Sequence, residues 1–216
     1  VVVNGVIIFL GVLLVAYGLG SFPTGYLIGI WLKGIDIRLV GSGSTGATNV
    51  LRTLGRGPGL LVFIIDLGKG IAAIALARSV DHLPFTPPSV DISSLIAISG
   101  LLALVGHSKS VWLGFTGGKS VATSLGILLA MNWVVALAAV AVFTGVVGVT
   151  RIVSISSISG AIAVVIAMVV LNEPIPYQLF AVIGGTYVIW RHRSNLNRLL
   201  KGTEPKLGQK VTTPPH

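Results

Sequence analysis

Residues 41–49 read GSGSTGATN, with three glycines, four hydroxyls (Ser42, Ser44, Thr45, Thr48) and nothing larger than Asn49. Arg52 and Arg56 follow at once. Glycine lets backbone N–H groups turn toward a guest without a Cβ in the way. Successive N–H groups make a nest for an anion, and arginine adds a planar fork that fits phosphate oxygens. The stretch is built like an oxyanion or phosphate cradle, with Gly41, Gly43, Thr48 and Asn49 as its lining. The competing reading is a solvated loop whose arginines touch anionic lipid.

Three more segments have the same character: GHSKSVWLGFTGGKSVAT (106–123), TRIVSISSISG (150–160) and WRHRSNLNRLLKGTEPK (190–206). Each combines small hydroxyl or glycine residues with at least one cation. Gly117 and Gly118 precede Lys119 at a predicted helix start, where the helix dipole favours an anion. The nucleotide P-loop is excluded: Gly114 and Gly118 are separated by three residues rather than four, and no strand precedes them. His192 and Asn195, three apart, share a helical face, and His192 could donate to phosphate or take a proton near neutral pH. Arg193 and Arg198 read as stop-transfer charges. The chain has no Cys, and its four His residues (82, 107, 192, 216) form no ligand pair, so neither thiolate chemistry nor a metal is expected.

The elements that must carry these segments are apolar. The chain is 53% hydrophobic and 10% charged, with mean hydropathy +0.94. Soluble domains carry about 25% charged residues, so the solvent here is largely lipid. Spans of about 20 apolar residues are predicted at 4–32, 58–80, 133–150, 155–171 and 176–190, with shorter runs at 93–106 and 119–131. If all seven cross, one side holds Lys33, Arg38, Arg52, Arg56, Lys109, Lys119, Arg151, Arg191, Arg193, Arg198, Lys201, Lys206 and Lys210, which is 13 of the 15 basic residues. The fold class is therefore all-α: a polytopic seven-helix membrane bundle, N-terminus outside and C-terminus cytoplasmic. A five-span version with 93–131 re-entrant is the alternative. Residues 1–206 form one membrane domain and 207–216 a polar tail. The start without Met reads as truncated or processed, and no signal peptide is visible.

Within the second span Asp66 and Lys69 stand at i and i+3, where a structural ion pair makes both tolerable. Gly11, Gly18, Gly25 and Gly29 recur on one face of the first span and are expected to let another helix approach closely. With the spans so placed, all four polar segments fall on the cytoplasmic side and predict one basic, donor-rich cavity there.

The three longest motifs resemble those of the bacterial acyl-phosphate:glycerol-3-phosphate acyltransferases, the PlsY family. GSGSTGATNVLR resembles GSGNxGATNVLR, GHSKSVWLGFTGGKSVAT resembles GHxFPVFLGFKGGKGVAT, and RHRSNLNRLLKGTEPK resembles RHRxNIxRLLxGxEPK. The SxxS of Ser154 and Ser157 after Arg151 also matches. The likeness runs from about residue 20 to 206. Ser44, Ser110, Thr116 and Ser120 depart from the usual Asn, Pro, Lys and Gly. The resemblance implies acyl transfer from acyl phosphate to the 1-hydroxyl of glycerol 3-phosphate, giving lysophosphatidic acid and phosphate. It implies a bacterial inner-membrane enzyme without cofactor, its site facing the cytoplasm. Carried over by motif, the catalytic positions are Ser42, Arg52, Lys119, Ser157, His192 and Asn195, the binding positions include Gly117 and Gly118, and Glu204 is structural. The partners implied are the two substrates and the bilayer, with no nucleic acid; fatty-acid synthesis enzymes are candidates that no residue pattern identifies. A transporter of phosphorylated small molecules is the alternative from another class, and a scaffold for anionic lipid a third.

Overall fold

The computed structural model describes residues 2–82 and 91–209. Among these residues ten α-helices follow one another: α1 (Val2–Ser21), α2 (Thr24–Lys33), α3 (Ala47–Leu54), α4 (Arg56–Ser79), α5 (Ile92–Ser108), α6 (Val121–Met131), α7 (Trp133–Thr150), α8 (Val153–Val170), α9 (Ile175–Arg191) and α10 (Arg193–Leu200). Four stretches among the described residues are long and apolar enough to cross a membrane: 5–33, 56–82, 133–150 and 153–170. The apolar α5 and α6 are shorter.

The first predicted span is two helices. Pro23 has no N–H to continue the ladder and stands as the N-cap of α2. The break lets α2 serve as a seat for the loop that follows. A Cβ on Gly25 would fall 1.9 Å from the Thr45 carbonyl oxygen, and one on Gly29 2.7 Å from that of Ile35. The glycine face expected to receive a helix is thus corrected: Gly25 and Gly29 receive loop backbone, and nothing lies within 4 Å of Gly11 or Gly18. Close helix approach uses other glycines. Gly20 and Gly106 join α1 to α5, and Gly100 of α5 receives the Phe180 ring of α9. Gly70 and Gly126 join α4 and α6 reciprocally: an added Cβ would lie 2.3 Å from Thr123 O and 2.0 Å from Leu67 O.

The bundle has two distinct ends. At one, Arg78 of α4 donates to Met131 O of α6, and Asn132 caps α7 while donating to Glu173 Oε1 beyond α8. At the other end the four polar segments are bonded to one another. Arg52 donates to Pro205 O; Arg191 donates to Gly117 O and Gly118 O; Leu207 N–H donates to Arg151 O, and Arg151 donates back to Leu207 O. The predicted tail thus continues the fold through Leu207, and 210–216 lie outside the described residues. Two apolar clusters form the core. The larger joins α1, α4, α5, α6, α7, α8 and α9, and the smaller (Ile28, Ile37, Val50, Val62) sits under the 41–49 loop.

In lipid there is no hydrophobic drive between helices, so contact depends on backbones approaching closely. Gly126→Ala overpacks the α4–α6 crossing at a cost of about 1–3 kcal/mol, lowering the unfolding temperature in detergent by about 2–10 °C. Gly148→Ala, with open space around it, leaves it unchanged or raises it slightly; differential scanning fluorimetry compares the two.

Candidate active site

Asn49 builds the first loop. Its side chain is buried, accepts from Ser42 N–H at 2.9 Å, and donates to the carbonyls of Ile37, Val40 and Ser44 at 2.9–3.1 Å. Gly41 and Gly43 take φ of +61° and +67°, where a side chain is strained, and a Cβ on Gly41 would strike Asn49 Oδ1. These glycines give the loop its shape, while Ser42, Ser44, Thr48, Asn49 and Arg52 line a cavity of about 190 Å³.

Around that cavity stand Lys119, Ser120, Val121 and Ala122 from the second segment, Val153, Ser154 and Ser157 from the third, and His192, Asn195 and Glu204 from the fourth. Three helices begin there. Neither Gly46 before α3, Ser120 before α6 nor Ile152 before α8 makes a side-chain cap. Apart from Asn49 N–H, which donates to Gly46 O, their first-turn N–H groups have no intrahelical acceptor and carry partial positive charge. With Arg52 and Lys119 they describe a site for phosphate oxygens.

Glu204 offsets the charge. Its buried carboxylate accepts from Asn195 Nδ2 at 2.6 Å and Ser154 Oγ at 2.8 Å on one oxygen, and from Arg198 Nε at 2.8 Å on the other. Burial pushes the carboxyl up, but these three donors outweigh it and hold it below the usual range. Arg198, read from sequence as a stop-transfer charge, is a partner in this network; Arg193 stacks on Trp190 at 4.5 Å. Burial lowers Lys119 to about 8, with the neighbouring cations Arg198, Arg52 and Arg191 adding to the effect and Glu204 opposing it. Burial also lowers His192 to about 4. His192 Nδ1 lies 2.8 Å from Val188 O. A carbonyl only accepts, so Nδ1 carries the proton and Nε2 has its lone pair free.

Gly117 and Gly118 act differently from the N–H donors expected. Gly118 N–H donates to His107 O, and both carbonyls accept from Arg191. A Cβ on Gly117 would lie 2.3 Å from His107 O, and one on Gly118 2.1 Å from the His107 ring. The pair is glycine because the loop lies flat on His107, and this contact aims Lys119 into the cavity. Ser157 Oγ is turned back onto Val153 O at 2.9 Å. The four motif departures are accommodated locally: Ser44 Oγ accepts from Gly46 N–H, Thr116 Oγ1 donates to Leu113 O, Ser110 N–H donates to Thr116 O, a bond proline lacks, and Ser120 at φ +64° holds its strained backbone with a bond to Leu104 O.

Sequence reasoning missed Ser154, Arg191, Phe63, Phe143 and His107 as site residues. For His107 a signal existed: a histidine inside an apolar helix needs a polar partner, and Asp66 on α4 is one. Asp66, Lys69 and His107 form a buried cluster, with Asp66 Oδ1 2.9 Å from Lys69 Nζ and 3.7 Å from His107 Nδ1. Asp66 and His107 also line the cavity.

A second cavity, about 340 Å³ and almost wholly apolar, adjoins the first. Leu125, Leu128, Val140, Val164, Phe180 and Ala181 are among its walls, and Phe63, Val121, Phe143 and Ser157 line both cavities. The throat between a cationic chamber and a greasy one is therefore built from α4, α6, α7 and α8.

Residues 10–202 match the family model described as glycerol-3-phosphate acyltransferase. The glycerol-3-phosphate acyltransferase of Trichormus variabilis is 62% identical over 94% of this chain and 93% of its own length. That of Acaryochloris marina is 56% identical over 96% and 93%. Two crystal structures of PlsY, an integral membrane glycerol 3-phosphate acyltransferase, superpose on this fold. Its glycerol 3-phosphate form gives a TM-score of 0.83 at 39% identity, over 93% of this chain and 96% of that one. Its lysophosphatidic acid form gives 0.80 at 38%, over 93% and 95%.

With Lys119 lowered to about 8, a bound anion favours the ammonium, so binding takes up a proton above pH 8. Affinity for inorganic phosphate is expected to weaken as pH rises through about 8. Lys119→Arg, charged throughout, removes the dependence in that window; calorimetric titration from pH 6.5 to 9.5 measures both.

Proposed function

This chain belongs to the glycerol-3-phosphate acyltransferase family, and we propose that it draws its acyl group from a fatty acyl phosphate. The observation that carries the donor is the junction of the two cavities. An acyl phosphate has a dianionic head and a long apolar tail, and the throat lined by Phe63, Val121, Phe143 and Ser157 is where its carbonyl sits when each end occupies matching surroundings.

The 1-hydroxyl oxygen of glycerol 3-phosphate attacks the carbonyl carbon. The bond from that carbon to the phosphate oxygen breaks, and phosphate leaves. An acyl phosphate is already an activated anhydride, so no covalent enzyme intermediate is required. Arg52, Lys119 and the open N-termini of α3, α6 and α8 stabilise charge growing on the leaving phosphate and the acyl oxyanion, in a site shielded from water. Holding both substrates together supplies proximity. His192, with Nδ1–H committed to Val188, offers Nε2 to orient the attacking hydroxyl. With its ordinary value lowered to about 4, it is a poor base, and an oxygen of the departing phosphate takes the hydroxyl proton. Asn195 and Ser154 hold Glu204, which keeps the cations in place. Ser42 and Ser157 supply hydroxyls at the phosphate and the throat.

The reaction is placed at the cytoplasmic face of a bacterial inner membrane, in a chain crossing seven times with its N-terminus outside. What supports this is the alternation of α4 to α9 between the two ends of the bundle, together with the gathering of basic residues at the site end. At about 1.5 Å per residue, α6 is only about 16 Å long, a short crossing packed against α4. Lysophosphatidic acid leaves sideways into lipid, past the exposed Val140 and Thr144 of α7.

Purified protein in detergent is expected to release phosphate from palmitoyl phosphate only when glycerol 3-phosphate is present. Palmitoyl-CoA and palmitoyl acyl carrier protein are expected to give no turnover. Turnover with palmitoyl-CoA alone overturns the donor assignment, and passage of glycerol 3-phosphate across proteoliposomes without acylation favours a transporter. Arg52→Ala is expected to lower kcat/KM by at least about 100-fold, the loss typical of one oxyanion-stabilising donor.

A further inference from the structure

The cavity that gathers cations and helix N-termini has one unexplained anion. Asp66 is 1% exposed and lines that cavity; Lys69 meets its Oδ1, while its Oδ2 has no hydrogen-bond partner among the described residues. Lys69, 7% exposed, stands 2.9 Å from Oδ1 as an ion-pair neighbour and gives a hydrogen bond to Phe22 O. The other near neighbour, His107, is 3.7 Å away. A buried carboxylate has about four acceptor positions, and leaving an oxygen such as Oδ2 without a donor is costly. The ion pair at Oδ1 supplies charge balance; an unpartnered acceptor on a residue that lines a binding cavity calls for a donor on the ligand.

A second phosphate cannot be that ligand group, because it brings negative charge to a carboxylate. Hydroxyls can. Building on the acyl transfer proposed above, we propose that Asp66 accepts a hydrogen bond from the non-reacting C2 hydroxyl of glycerol 3-phosphate and so fixes which way the acceptor lies. The carboxylate repels the phosphate toward Arg52 and Lys119 and draws the polyol end to the α4 side of the cavity. This directs the 1-hydroxyl toward the throat. Lys69 and His107 hold Asp66 in place, and the Gly118 loop packed on His107 ties the position of Asp66 to that of Lys119.

The test uses the full protein with palmitoyl phosphate and two acceptors, glycerol 3-phosphate and 3-hydroxypropyl phosphate, which lacks the C2 hydroxyl. The wild type is expected to lose about 10- to 100-fold in kcat/KM on the deoxy acceptor, the worth of a hydrogen bond to a charged group. Asp66→Asn is expected to bring the two acceptors within about threefold by lowering activity on glycerol 3-phosphate far more than on the analogue, with KM for palmitoyl phosphate unchanged. A purely structural Asp66 lowers both acceptors equally and keeps the discrimination, and that outcome overturns the proposal. Should Asp66→Asn fail to fold with Lys69 unpaired, the double variant D66N/K69M gives the same comparison without a stranded ammonium. A wild type that uses both acceptors equally also overturns the proposal while leaving acyl transfer standing. No acylation of glycerol 3-phosphate at all overturns the functional reading instead.

Discussion

Glu204 sits where three distant parts of the chain meet. Its two oxygens take donors from Ser154 of α8 and from Asn195 and Arg198 of α10, and the residue beside it accepts at its carbonyl from Arg52 of α3. Around it lie more cations than one carboxylate can neutralise. Because the cavity is half-buried in an apolar bundle, each of those cations is costly there unless something negative shares the space. Glu204 supplies negative charge that lets the loops close and leaves a surplus of positive charge around the cavity, the electrostatic condition that favours a dianion there.

The same arrangement explains why the helices near the site begin without side-chain caps. A capping aspartate or asparagine would satisfy the first-turn N–H groups and remove them from the ligand. At the opposite end, α5 and α7 do carry such caps, Asp91 and Asn132. At the cavity end the first turns of α3, α6 and α8 are left without a side-chain cap, and Ser120, a potential cap, turns its hydroxyl to Leu104 O instead.

Glycine has two separate tasks in this chain. In the bundle, Gly70 and Gly126 let α4 and α6 touch, and that contact holds the Asp66 level of α4 against the start of α6. Around the loops, Gly25 of α2 and the loop residues Gly117 and Gly118 let backbone lie directly on backbone or ring. Both tasks serve one end: donors from four segments are held within reach of one small molecule, with an apolar chamber opening directly from them.

Much of this was legible in the residues. Composition alone required a membrane bundle, because 10% charge cannot clothe a soluble surface. The motif segments identified the polar end, and the i,i+3 spacing of Asp66 and Lys69 announced a buried pair. Local pattern could not reveal which polar groups would be consumed internally. Asn49 and Gly118 look like ligand donors in the sequence, yet the Asn49 side chain binds its own loop and Gly118 gives its N–H to His107. His107 and Asp66 lie 41 positions apart, and Arg52 and Pro205 are separated by 153 residues. Pairings across such distances depend on how helices pack, which periodicity does not encode. The sequence determined the solvent, the helices and the chemistry available at one end. The tertiary structure alone decided which donors remained free to face a ligand, because a hydrogen-bonding group is either satisfied by a neighbour or left for a guest, and neighbours are set by packing.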